Sequence, residues 1–110
     1  MIKQLLRAAV ARDEVDGFAR DNGFARSFDP PWTDGIRTTN WRRGEDLVAL
    51  ITDGPSGATL LAAKGPGEAE LARRFGERFG ARGLSEEIAE ARTADGAAAR
   101  ARASLRLGLL

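Results

Sequence analysis

The sequence contains no cysteine, no histidine and no tyrosine among its 110 residues. Without cysteine it has neither a disulfide framework nor a thiolate that could attack a substrate or bind zinc. Without histidine, acid–base catalysis near neutral pH is left to carboxylates and lysines with displaced pKa values, and the commonest zinc ligand is missing. We therefore expect no enzyme, no catalytic residues, no cofactor site and no metal site.

Net charge is also small, because 17 basic residues face 16 acidic ones and the balance is +1. This balance provides no long-range field that would attract a polyanion or an acidic membrane. No apolar run reaches the roughly 20 residues that a membrane-spanning helix needs. Gln4 and Arg7 interrupt the apolar stretch that a signal peptide would require. We expect a cytoplasmic protein without a membrane partner.

The remaining composition predicts one folded domain over residues 1–110. Hydrophobic residues make up 43% and charged residues 30% of the chain, which is ordinary for a globular protein. The length fits one domain, since domains are commonly about 100 to 150 residues long. Arginine far outnumbers lysine and alanine is abundant, a bias that suggests a GC-rich bacterial genome.

The first part of the chain has two clusters of apolar residues at helical spacing. Ile2, Leu5 and Leu6 begin a pattern that predicts a helix over residues 2–12. A second pattern predicts a helix over residues 13–22, with Asp13 as its N-cap and Gly23 followed by Phe24 at its end. The two clusters point in different directions at 3.6 residues per turn, so we expect two helices.

Three strands are predicted after this pair, over residues 36–43, 46–52 and 58–64, because glycine-containing turns separate them. They predict a three-stranded antiparallel meander. In the middle strand Leu47, Ala49 and Ile51 share one face and Val48 and Leu50 the other. Both faces are apolar, and we expect one of them to be only partly shielded and to support self-association or a protein partner.

The last part of the chain is predicted to be helical over residues 67–79, 85–94 and 96–107. In the first of these helices Phe75 and Phe79 share a stripe with Leu71, and we expect both to lie in the core. The predicted fold class is therefore α+β, a three-stranded antiparallel meander flanked by N-terminal and C-terminal helices.

Candidate interaction residues are few. Trp32 lies in a proline-containing loop, and Trp41 stands beside Arg42 and Arg43 on one predicted strand. An aromatic ring with neighbouring guanidinium groups is the combination that binds single-stranded nucleic acid, so this strand defines an alternative function. Three leucines complete the candidate set, because they lie at the end of the last predicted helix or beyond it and are costly to leave in water: Leu107, Leu109 and Leu110.

Three further motifs are better explained by structure than by chemistry. Gly65-Pro66-Gly67 opens a predicted helix but lacks the third glycine of a dinucleotide-binding loop. The stretch 54–57 resembles a nucleophile elbow without its second glycine, and is typical of a hairpin turn. The acids of residues 13–16 lack calcium-loop spacing and are typical of a helix start.

Most of the chain resembles the N-terminal α+β module that precedes HEAT-type helical repeats in some high-GC bacterial proteins. The residues that carry the resemblance are Asn22-Gly23-Phe24, Trp41, the two apolar strands, Lys64-Gly65-Pro66 and the tail from Asp95 to Arg102. The resemblance implies an adaptor or scaffold role, in which the last helices begin or cap a repeat stack.

The sequence thus predicts a non-enzymatic protein-interaction or adaptor domain. Two alternatives stay open: a nucleic-acid-binding module that uses the strand of Trp41, and a small immunity or antitoxin-like protein whose acidic loops block a partner.

Overall fold

The computed structural model of the protein describes residues 1–31, 35–54 and 57–86. Its elements in chain order are β1 (Ile2–Leu5), α1 (Arg12–Asp21), β2 (Ala25–Arg26), β3 (Ile36–Arg43), β4 (Asp46–Asp53), β5 (Thr59–Lys64), α2 (Glu68–Phe79) and β6 (Arg82–Gly83). Residues 84–86 are again helical. None of the helices in these ranges is long and apolar enough to cross a membrane.

The described strands form one antiparallel sheet in the order β2-β3-β4-β5-β1-β6. The mixed α+β class with an antiparallel sheet is therefore confirmed. The predicted meander is its centre, since β3, β4 and β5 are neighbours and correspond closely to the three predicted strands. The prediction of only three strands is wrong, because β1, β2 and β6 extend the sheet to six strands.

The helix predicted over residues 2–12 is wrong. Residues 2–5 form β1, which pairs with β5 on one side and with β6 on the other. The apolar residues of a segment this short fit a helical stripe and a strand equally well. The ladder decides between them, because β5 has backbone groups to satisfy along Leu60–Ala63 and β1 supplies the partners.

Both helices pack on the same face of the sheet, which we call the helix-covered face. There Phe18 of α1 contacts Phe75 and Phe79 of α2, with ring centroids 5.5 Å apart in each pair. Trp41 and Val48 contribute from the sheet, and both are fully buried. Phe75 is a core residue as predicted, and Phe79 packs against the same cluster while partly exposed.

The end of α1 follows the predicted glycine motif. Gly23 has φ of 81° and Phe24 donates its backbone N–H to the carbonyl of Ala19 at 2.8 Å, as in a Schellman motif. The start differs from the prediction, because the N-cap is Ala11 and Asp13 lies in the first helical turn. There its negative charge interacts favourably with the helix dipole, but it does not cap a backbone amide.

The opposite face of the sheet, which we call the second face, has its own smaller apolar cluster. Leu60 and Ala62 of β5 lie beside Ile51 and Ala49 of β4, and Leu84 packs against them. The two apolar faces predicted for the middle strand are thus confirmed, with Leu47, Ala49 and Ile51 on the second face.

Candidate functional site

In the described part of the chain, the second face is buried at one end and partly exposed at the other. Cross-strand neighbours form three rows: Arg42, Leu47 and Lys64; then Asn40, Ala49, Ala62 and Lys3; then Thr38, Ile51, Leu60 and Leu5. In the third row Ile51, Leu60 and Leu5 are buried. In the first row Leu47 is partly exposed and both cations are exposed.

A groove of about 320 Å³ lies on this face and is lined by residues of all three rows, from Leu47 past Ala49 to Ile51. Its lining includes Ala49 and Ala62, whose small side chains leave room above the sheet, and Leu47, which adds apolar surface. Met1 and Lys3 line it from the β1 side. Met1 is 62% exposed and so adds further apolar surface near the groove. The groove formed by the described residues is therefore concave and mostly apolar.

The β3 side of the groove is lined by Pro30 and Pro31. The segment that carries them is held by Asn40, whose backbone N–H donates to Oδ1 of Asp29 at 2.9 Å and whose Nδ2 donates to the carbonyl of Phe28 at 3.0 Å. Proline has no N–H that could extend the pairing of β2 with β3. Beyond the end of β2, hydrogen bonds that involve side chains replace the backbone ladder. These bonds hold the segment against the edge of β3.

The open half of the second face carries positive charge. Lys3, Arg42 and Lys64 lie in its first two rows. Among the residues of the described strands, no acidic side chain belongs to these two rows. The nearby carboxylate of Asp46 points to the helix-covered side, where it binds Arg43 and Gly67. The groove is thus an apolar surface with a basic border.

Trp41 lies away from this groove, in the core. Its side chain is fully buried, and its indole Nε1 donates to Oδ1 of Asp16 at 2.9 Å. This hydrogen bond, followed by the one from Arg20, lowers the pKa of the Asp16 carboxyl below its ordinary value. Because no part of the ring is exposed, a nucleic-acid base has no surface of Trp41 on which to stack.

Arg42 and Arg43 point to opposite faces of the sheet. Arg43 donates to the carbonyl of Asn22 at 2.8 Å, pairs with Asp46 at 3.1 Å, and stands 4.6 Å from the ring centroid of Phe24. It therefore fastens β3 to the end of α1. Arg42 belongs to the border of the groove, so these two arginines and Trp41 do not form a common surface.

The other predicted interaction residues lie outside the described part of the chain. These are Trp32 and the leucines Leu107, Leu109 and Leu110, together with the predicted helix over 96–107 and most of that over 85–94.

The start of α2 is occupied by the protein itself. Oδ1 of Asp46 accepts the backbone N–H of Gly67 at 2.8 Å, and this bond, with that from Arg43, lowers the pKa of the Asp46 carboxyl. A Cβ at Gly65 would come within 2.6 Å of Asp46 Oδ1 and of the Glu45 carbonyl oxygen. The glycines of Gly65-Pro66-Gly67 thus allow the β3–β4 turn to approach the helix.

A second depression, of about 500 Å³, lies between α1 and α2 and contains several arginines. Arg73 and Arg74 both bind Glu70, which lowers the pKa of that carboxyl to about 2. Arg73 also pairs with Glu77 at 2.5 Å. Arg73 and Arg74 are thus paired with carboxylates of their own helix. In the described residues no group of three carboxylates could hold a metal ion.

Several residues in and around the groove were not singled out from the sequence. Lys3 escaped because β1 was predicted as a helix, and Asp29 because its bond to Asn40 joins residues that no local pattern links. Lys64 could have been found by extending the two-residue alternation of β5 past Ala62.

Comparison of the chain with protein families, with curated proteins and with solved structures finds no match.

Proposed function

We propose that this protein is a non-enzymatic interaction domain that binds a protein partner through the groove of the second face. The observation that carries the proposal is the position of Leu47, a partly exposed apolar residue at the open end of a concave apolar surface. Exposed apolar surface with a polar border is characteristic of protein interfaces. The resemblance to modules that precede HEAT-type repeats supports the same role.

The nucleic-acid alternative loses its main argument with the burial of Trp41, because stacking needs an exposed ring. A net charge of only +1 gives the protein little attraction for a polyanion, and the second face adds only a few cations.

The proposal is tested by capturing partners from a lysate of the native host with the tagged protein. Leu47→Gln removes apolar surface without adding charge, and Ala69→Gln makes the same kind of change at an exposed position of α2 on the other side of the sheet. Nuclease is added throughout, and circular dichroism verifies that each variant melts like the original protein.

We expect partner proteins to be retained by the original protein and by Ala69→Gln, and lost with Leu47→Gln. A second copy of the chain counts as a partner if sedimentation shows a dimer that Leu47→Gln dissociates. The proposal is overturned if no captured protein depends on Leu47, or if every capture disappears with nuclease.

A further inference from the structure

We infer that the groove binds an amphipathic peptide segment of a partner protein, one that carries carboxylates beside its apolar side chains. The inference rests on the proposed function and adds the chemistry of the partner. It is carried by the first row of the second face, where Leu47 stands between Arg42 and Lys64 on neighbouring strands. One apolar side chain flanked by two cations is complementary to an apolar side chain flanked by two anions.

Three of the acids around the groove are bound by other groups in the described residues. Asp29 is bound by Arg26 at 2.6 Å, Asp46 by Arg43 and Gly67, and Glu68 lies 3.2 Å from the amino group of Met1. Each of these carboxylates is engaged with a group outside the first row.

The shape of the groove favours a peptide over other anionic partners. Ala49 and Ala62 leave space for one or two apolar side chains within about 320 Å³. A nucleic acid would need aromatic rings for stacking or a longer basic track for its phosphates, and the described residues that line the groove include no aromatic ring. A membrane-binding protein would insert protruding apolar side chains into the lipid, whereas Leu47 lies within the sheet.

The test uses two labelled synthetic peptides that form amphipathic helices with identical leucine faces. One has glutamate and the other lysine at every polar position, and fluorescence anisotropy gives the Kd of each. An oligonucleotide of single-stranded DNA and vesicles containing phosphatidylglycerol serve as the competing anionic probes.

We expect the glutamate peptide to bind at least about tenfold more tightly than the lysine peptide, with an affinity that falls as salt is added. The variant Arg42→Glu/Lys64→Glu, which changes two exposed positions, should invert the preference. The single change Lys64→Glu should reduce it and provides the test if the double variant does not fold.

Equal binding of both peptides, lost in Leu47→Gln, would overturn the inference about charge while leaving the proposed function intact. Binding of neither peptide, or tighter binding of the DNA or the vesicles through the same cations, would overturn the inference. The proposed function fails separately, when no protein capture depends on Leu47.

Discussion

The indole Nε1 of Trp41 donates a 2.9 Å hydrogen bond to Oδ1 of Asp16, joining the sheet to α1 across 25 residues of sequence. The other carboxylate oxygen of Asp16 accepts from Arg20 at 2.7 Å. Asp16 thus links a helix surface to a fully buried side chain. An acid predicted only as part of the helix start is what gives the buried donor its partner.

Asp16→Ala should lower the melting temperature more than Asp13→Ala does. The first change leaves the indole N–H buried without an acceptor, and such a donor loses its hydrogen bond without regaining water. The second change affects only an exposed residue of the same helix. A double-mutant cycle with Trp41→Phe should show coupling between positions 16 and 41, and additive effects would contradict the link.

Phe75→Ala should destabilise the protein by about 3–5 kcal/mol, because a large side chain with no exposed surface leaves a cavity when it is truncated. Phe28→Ala is the matched control, since Phe28 is 82% exposed and should tolerate the change. Urea denaturation measures both variants. Equal stabilities would show that Phe75 does not support the core.

Gly65→Ala should be more damaging than Gly44→Ala. Both glycines have positive φ, 121° and 58°, so both substitutions strain the backbone. Only at Gly65 would the new Cβ also meet atoms of Glu45 and Asp46, whereas at Gly44 no other group lies within 4 Å. Thermal melting compares the two variants. An equal fall in melting temperature would mean that the β3–β4 turn moves away from the new Cβ without a loss of stability.

Acid should destabilise the protein through Glu70, Asp16 and Asp46, whose pKa values are all lowered in the folded state. A carboxyl with a depressed folded pKa contributes stability above its unfolded pKa and loses it as the pH falls through the folded pKa. For Glu70 this window runs from the ordinary value of 4.5 down to about 2. Its exposure to solvent keeps the contribution small.

Urea midpoints measured near neutral pH and near pH 3 should therefore differ less for the variant Asp16→Asn/Asp46→Asn/Glu70→Gln than for the original protein. Ala69→Gln, which retains all three carboxylates, serves as the control. An undiminished difference in the triple variant would assign the acid sensitivity to other groups.

The central strands and α2 could be predicted from the sequence because their signals are local. Turns with glycine at residues 44 and 57 separate β3, β4 and β5, and both glycines have the positive φ that such turns use. Gly80 ends α2 with φ of 65° in the same way.

The outer strands could not be predicted, because their partners lie far away in the sequence. Leu5 pairs with Leu60 and Arg82, so the conformation of β1 is decided by a ladder that no window around residue 5 contains. β2 and β6 have two residues each, too few for any periodicity. The groove could not be predicted for the same reason, because Lys3 of β1 is one of the residues that line it.

The position of β1 between β5 and β6 also affects how the chain is made. During synthesis β1 leaves the ribosome well before β5 and β6, so these later strands complete the sheet around an earlier one. Until then Leu5 and Leu6, both 2% exposed in the folded protein, have no sheet to cover them. A chaperone that binds short apolar segments of nascent chains would find a target there.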